Sequence, residues 1–214
     1  MSSGDLADFD ALAADKRIDD DANYQWRVAD RPDGNVVPSD FEWAVTDIPE
    51  PADGEVLLKT HYLGLAPVMR FYMMGGSPSG ERELNIGDVI HGRGVAQVIK
   101  SRHPDWHEGG MVQGQIAWQT YKVSKMTAQE KFYRMPHNGL SAALGSGVLG
   151  MTGLSAHAGL FACGDPKAGD LMALSGAAGG VGSMVSQMAV DVVGCDVVGI
   201  AGGAEKCAFI LDHG

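Results

Sequence analysis

The stretch LMALSGAAGGVGSMVSQMAVDVVGCDVVGIAGGAEK, residues 171–206, decides the fold of the second half of this chain. It opens on the apolar run 171–174, long enough for a buried strand, and continues into the small-residue turn 175–183. A helical pattern follows, and residues 196–200 then predict a second buried strand. Strand, glycine turn, helix and strand, in this order, predict the opening of a Rossmann fold.

The glycines of this turn predict a phosphate site. A pyrophosphate sits against the first turn of a helix, where N–H groups point outward and the helix dipole favours negative charge. A Cβ at Gly179, Gly180 or Gly182 would hold the phosphate off or block helix–strand packing. The alternative is a small-residue helix start packed on a sheet, with no ligand. The apolar face expected of the helix comprises Val181, Met184, Val185, Met188, Ala189 and Val192.

The end of the second strand indicates the cofactor. A chain that binds NAD usually carries Asp or Glu about 20 residues past the turn, where it holds the ribose 2′-hydroxyl. Here no acid ends the strand, and Lys206 follows within reach of a 2′-phosphate. The pattern therefore favours NADP(H). Two alternatives stay open, namely Glu205 as a ribose ligand for NAD and Lys206 as a solvated lysine.

Composition excludes several classes of partner. The 214 residues carry a formal charge of −11, which argues against nucleic acid or an anionic membrane as a partner. No apolar run reaches the roughly 20 residues that span a bilayer, and the N-terminus lacks a signal-peptide pattern. Three cysteines without C-x-x-C spacing indicate neither disulfides nor a zinc knuckle. We therefore expect a cytoplasmic protein.

Three segments follow one another along the chain. Residues 1–22 are acidic and predict a mobile tail, whereas residues 23–145 contain short β runs between glycine turns, which predict a small barrel. Residues 140–160 are expected to be helical, with Gly164 as a stop. Residues 146–214 form the N-terminal part of the Rossmann domain. The fold class is thus α+β followed by an incomplete α/β fold.

Several motifs resemble the zinc-free branch of the medium-chain dehydrogenase/reductase superfamily. The finer resemblance is to NADPH-dependent double-bond reductases of the leukotriene B4 dehydrogenase, prostaglandin reductase and curcumin reductase type. The motifs that carry it are residues 63–70 (LGLAPVMR, against L-S-L-D-P-Y-M-R), 92–98 with 101–105 (GRGVAQV and SRHPD), 118–121 (WQTY), 149–157 (LGMTGLSAH) and 199–207 (GIAGGAEKC).

The resemblance implies a GroES-like barrel domain and assigns roles to individual residues. Gly179, Gly180, Val181 and Gly182 would hold the pyrophosphate, and Gly202 and Lys206 the 2′-phosphate. Met151 and Ser155 would lie beside the nicotinamide and its ribose. Pro67 and Met69 are assigned to the substrate pocket. By residue type, Met69, Met73, Met74 and Trp118 are candidates for an apolar pocket, and a core role stays open for each of these four. Relatives of full length are expected to be homodimers.

Some positions depart from the family pattern. Ala66 and Val68 stand where the family has Asp and Tyr, His157 replaces a Tyr, and Gly110 replaces the Asp of a G-D turn. The chain also supplies only two strands of a fold that has about six. We therefore expect a C-terminally truncated reductase whose Rossmann part is marginal without a partner.

The expected chemistry needs no metal and no catalytic acid or base from this chain. Catalytic and structural zinc need Cys and His ligand sets that the sequence lacks, and His91 is followed by Gly92 rather than Glu. To reduce an activated C=C bond in an apolar enone, the protein needs only to bind NADPH and to stabilise the enolate by hydrogen bonds. Tyr72 and Tyr121 are candidate hydroxyl donors by residue type alone. A zinc-free quinone reductase and a non-catalytic fragment stay open as alternatives.

Overall fold

The structure, a computed structural model, describes residues 16–77, 80–136 and 139–213. It divides into two compact units, one ending at Ala143 and the other beginning at Leu144. The predicted tail falls mostly on residues 1–15, which lie outside the described residues. Each unit has hydrophobic clusters of its own.

The first unit is built from antiparallel strands. Its elements are β1 (Asn23–Val28), β2 (Phe41–Thr46), β3 (Val56–Leu63), helix α1 (Val68–Met73), β4 (Arg93–Ser101), β5 (Met111–Gln115), β6 (Tyr121–Ser124) and β7 (Tyr133–Arg134). The last five strands form one sheet in the order β6-β3-β4-β5-β7, and β1 pairs with β2. Isolated bridges from β1 to Gln119 and Val89 tie this ribbon to the chain around the sheet.

Two clusters of buried side chains fill the first unit. One lies under the five-stranded sheet and includes Val56, Leu58 and Val112. The other gathers Val28, Leu84 and Ile90 around helix α1. These alternating inward residues come from strands far apart in sequence, as expected of a barrel-like domain.

The second unit is the predicted Rossmann opening. Strands β8 (Leu171–Ser175) and β9 (Asp196–Ile200) are parallel neighbours. Between them runs helix α3 (Gly180–Gln187), which continues as a π-helix over Met188–Val193. Helix α2 (Met151–His157), with its own π-helical continuation Ala158–Gly164, precedes β8, and α4 (Ala204–His213) follows β9. The predicted class, a barrel domain followed by the start of a Rossmann fold, is confirmed.

The prediction of a helix over residues 140–160 is wrong in its first half. Residues Ala142–Ser146 form a 3₁₀ turn, and the α-helix begins only at Met151. Glycines cause the difference, because a Cβ at Gly150 would lie 2.3 Å from the Gly145 carbonyl oxygen. Such close turns replace the regular helix that the apolar pattern indicated.

The predicted faces of α3 and of the two strands also need correction. Val181 and Val192 are exposed, whereas Ser186 is buried and its hydroxyl donates to the Gly182 carbonyl. The π-helical continuation shifts the residue period, so that Val193 rather than Val192 packs inward. Both strands bury only one face, and Leu171 on the other is 74% exposed.

Candidate functional site

The turn between β8 and α3 is held by its own backbone. Gly176 has φ +62°, a left-handed conformation that favours glycine. The Gly179 N–H donates to the Gly176 carbonyl at 2.9 Å, and Ser183 N–H donates to Gly179 at 2.8 Å. A Cβ at Gly182 would lie 2.3 Å from the Gly176 oxygen. Glycine at 182 is therefore required for the helix to start so close to the strand.

The outer side of the same turn is open. A Cβ at Gly180 would meet only the Thr152 methyl group, at 3.2 Å, and Val181 is 43% exposed. The first N–H groups of α3 have no carbonyl partner inside the helix. These N–H groups and the helix dipole are suited to an anion, and the assignment of Gly179, Gly180 and Val181 to a pyrophosphate stays a prediction.

The end of β9 lies beside the glycine turn. Ser175 and Ile200 are register partners at the carboxyl ends of the two parallel strands, and the Ala177 N–H donates to the Ile200 carbonyl at 3.2 Å. Gly202 follows directly, with no atom within 4 Å of an added Cβ. Lys206 is exposed in the first turn of α4, and so is its neighbour Glu205. Lys206 and Glu205, the two candidate ligands for the ribose end of the cofactor, thus follow the carboxyl end of β9, the same end of the sheet as the glycine turn.

Helix α2 supplies the remaining candidate cofactor residues. Met151 begins the helix and Ser155 lies one turn further, both of them exposed. Between them, Thr152 reaches the start of α3 at Gly180. Sequence reasoning did not identify Thr152, although its place in the LGMTG motif, next to Met151, was a usable signal.

The predicted substrate residues line a pocket in the first unit. Pro67 and Met69 contribute to an apolar pocket of about 370 Å³. The other lining residues are Val36, Phe41, Leu65, Ala66, Arg70, Met73 and Trp118. Met74 is exposed and does not line it. A pocket of this size and polarity suits a small apolar ligand.

Trp118 reaches this pocket because residue 92 has no side chain. A Cβ at Gly92 would lie 2.7 Å from the indole Cδ1 and 2.8 Å from Nε1. The indole stacks on Phe41 with ring centroids 6.1 Å apart and an interplanar angle of 22°. Trp118 and Phe41 therefore form an aromatic wall of the pocket.

Two arginines hold the loops around the pocket. Arg31 donates to the carbonyls of Met73 (2.6 Å) and Leu84 (2.5 Å), and Arg70 Nε donates to the Gly34 carbonyl (2.6 Å). Neither candidate tyrosine lines the pocket, because Tyr72 lies in the core around α1 and Tyr121 donates to the Asp20 carbonyl.

The ring of His91 is engaged in contacts within the first unit. Its Nε2 lies 2.7 Å from the Arg82 carbonyl oxygen, and its ring meets Tyr72 edge-on at 5.4 Å. Burial lowers the pKa of His91, so the neutral ring is favoured. Within residues 16–77, 80–136 and 139–213, no group of three or more His, Cys, Asp or Glu side chains is placed to hold a metal ion. In the same ranges no helix is long and apolar enough to cross a membrane.

A Rossmann opening that follows a barrel domain with an apolar pocket is typical of oxidoreductases that bind a dinucleotide cofactor. The sequence family described as "N-terminal domain of oxidoreductase" matches residues 24–132, just over half of the chain. The chain belongs to this oxidoreductase family. The resemblance to medium-chain double-bond reductases is confirmed by the relatives.

Similar proteins carry reductase names. The chain is 41% identical over 185 residues to the NADPH-dependent curcumin reductase of Escherichia coli, covering 86% of this chain and 52% of that protein. It is 34% identical to prostaglandin reductase 1 of Oryctolagus cuniculus, covering 88% and 52%. The crystal structure of CurA from Vibrio vulnificus in complex with NADPH matches with a TM-score of 0.77 at 37% identity, covering 88% and 55%. The chain thus spans about half the length of these relatives.

Proposed function

We propose that this chain is part of an NADPH-dependent reductase of the C=C bond in α,β-unsaturated ketones and aldehydes. The observation that carries the proposal is the 41% identity to a curcumin reductase. That similarity spans 185 of the 214 residues, and so it includes both the pocket segment and the glycine turn. The 214-residue chain by itself is not expected to be competent, because two Rossmann strands do not complete a nicotinamide site.

The residues present fit a dinucleotide phosphate. Gly179, Gly180, Val181 and Gly182 would receive the pyrophosphate, since the first turn of α3 is open on its outer side. Lys206 would hold the 2′-phosphate through its ammonium group, with the open backbone at Gly202 beside it. Met151 and Ser155 would lie against the nicotinamide and its ribose. When bound, NADPH supplies the hydride for the β-carbon of the substrate.

The chain's own contribution to the reaction is binding and exclusion of water. Pro67, Met69 and Trp118 would hold the apolar body of an enone. Arg70 is the one ionisable residue among the pocket's lining residues, and its Nε is already bonded to the Gly34 carbonyl. The pocket therefore offers no general acid, and the proton for the α-carbon would come from water or from a residue outside this pocket.

Loss of NADPH absorbance on mixing the chain with an α,β-unsaturated ketone, and separately with a quinone, tests the proposal. The longer reductase of which this chain is proposed to form part should oxidise NADPH with the ketone but not with the quinone, whereas the 214-residue chain alone should be inactive, because it supplies only two Rossmann strands. Met69→Ala, which opens the pocket, should raise KM for the ketone, whereas Met74→Ala outside it serves as the matched control. Activity of the longer protein with the quinone alone, or with neither substrate, would contradict the assignment. A cytoplasmic location and homodimerisation of the longer protein stay predictions.

A further inference from the structure

A second cavity of about 390 Å³ opens on the first unit, and it shares no residue with the pocket around Pro67. Its floor is the barrel core, formed by Val98, Val112 and Met135, of which the first two are almost completely buried. Cavities of this volume hold small ligands. Nothing in the proposed reductase chemistry uses this one.

Gly110 lines the cavity and brings no side chain into it. A Cβ at Gly110 would meet only the His107 carbonyl oxygen, at 3.1 Å, and the backbone there is not left-handed. The conformation therefore does not require glycine. Glycine at this position leaves the space of a side chain free in the wall of the cavity.

A cationic side chain, Arg134, lies on another part of the cavity wall. The guanidinium of Arg134 lies over the Trp106 ring, with Cζ 4.3 Å from the centroid, and one of its nitrogens donates to the Asp105 carbonyl. Among the described residues, no carboxylate lies within ion-pair distance of Arg134. A stacked arginine with unused N–H groups is suited to a planar acid.

One acidic side chain also lines the cavity, and it is engaged elsewhere. A carboxylate oxygen of Glu108 accepts the Ser101 backbone N–H at 3.2 Å. We propose that this cavity binds a small planar aromatic acid, with the ring against Trp106 and the apolar floor and the acid group on Arg134. The site is independent of the proposed reductase function.

Titration of the isotope-labelled chain with naphthoate tests the site by nuclear magnetic resonance. We expect saturable shifts at the Trp106 indole N–H and at the Gly109 and Gly110 amides, with the Trp118 indole unmoved as the internal reference. The neutral analogue naphthamide should bind about tenfold more weakly, because it lacks the charge-assisted bond to Arg134. Equal binding of the two compounds, shifts at Trp118 alone, or no shifts would overturn the proposal.

Variants separate the contributions of volume and charge. Gly110→Asp should abolish naphthoate binding, and Gly110→Asn, equal in size but neutral, should weaken it less. Arg134→Gln should weaken binding about tenfold. Glu108→Gln keeps an oxygen for the Ser101 N–H and should tighten binding. Met69→Ala, in the other pocket, should leave it unchanged. Full affinity in a folded Arg134→Gln variant would refute the site even if the Gly110 variants did not fold.

Discussion

Gly182→Ala should destabilise the second unit while leaving the first unit intact. The new methyl group would lie 2.3 Å from the Gly176 oxygen and 2.8 Å from the Ala177 Cα, about 1 Å inside ordinary contact distance. Both obstacles are backbone atoms of a turn that cannot rotate away. We expect the overpacking to cost about 3 kcal/mol, and the better helix propensity of alanine to return about 1 kcal/mol of that.

A net loss of about 2 kcal/mol corresponds to a fall in the melting temperature of about 10 °C for a unit of this size. Two spectroscopic probes separate the units, because all four tryptophans and all five tyrosines precede residue 134, whereas the longest helices follow residue 150. Far-ultraviolet circular dichroism should therefore melt earlier in the variant, and tryptophan fluorescence should melt at the wild-type temperature.

Gly180→Ala is the matched control. Its methyl group would meet only Thr152 Cγ2 at 3.2 Å, so the second unit should keep its stability or gain slightly from the better helix former. Equal melting temperatures for the two variants would refute the claim that Gly182 serves packing while Gly180 leaves room for a ligand. An equal shift of both probes would refute independent unfolding of the units.

Three further predictions concern the first unit. Gly92→Ala should displace Trp118 from the pocket and shift its fluorescence emission, whereas an unchanged spectrum would contradict the close contact. Burial lowers the pKa of His91, so the unfolded state binds more protons just below pH 6.5 and stability should fall as pH is lowered through that value. His91→Gln, which can still donate to the Arg82 carbonyl, should flatten the pH dependence of the unfolding free energy measured by urea titration. An unchanged pH dependence in this variant would contradict the role of His91. Arg31→Met removes two bonds to carbonyls and should lower the unfolding free energy by about 2 kcal/mol, while a change below measurement error would exclude a clamping role.

The Rossmann opening could be predicted from sequence because its signals are local. The apolar runs 171–174 and 196–200 and the glycine turn between them lie within thirty residues, and each corresponds to an element of the structure. The barrel class was predictable for a similar reason, since short strands alternate with glycine turns. The exact ends of the barrel strands are less predictable, because pairing partners far along the chain decide where a strand stops.

Other features depend on contacts that no local pattern encodes. The apolar spacing of residues 140–150 resembles a helix, yet the close approach of Gly150 to Gly145 replaces it by tight turns. Trp118 and Gly92 are far apart in sequence and come into contact only in the folded chain. The sequence could therefore suggest Trp118 as a pocket residue, but it could not show that the absence of a side chain at Gly92 makes room for the indole. Thr152 lies beside the glycine turn because helix α2 packs against helix α3, and the spacing of apolar residues in the sequence does not predict which side chains meet between two helices.

Calorimetric titration of the chain with NADP(H) and with NAD(H) tests the central claim most directly. The account predicts binding that depends on the 2′-phosphate and is lost in Lys206→Ala, because no acid ends β9 and an exposed ammonium and open backbone follow it. Glu205→Gln should leave the preference unchanged. Equal affinity for the two cofactors, tighter binding of NAD(H), or binding of neither would contradict the assignment of this edge of the sheet as an NADP(H) site.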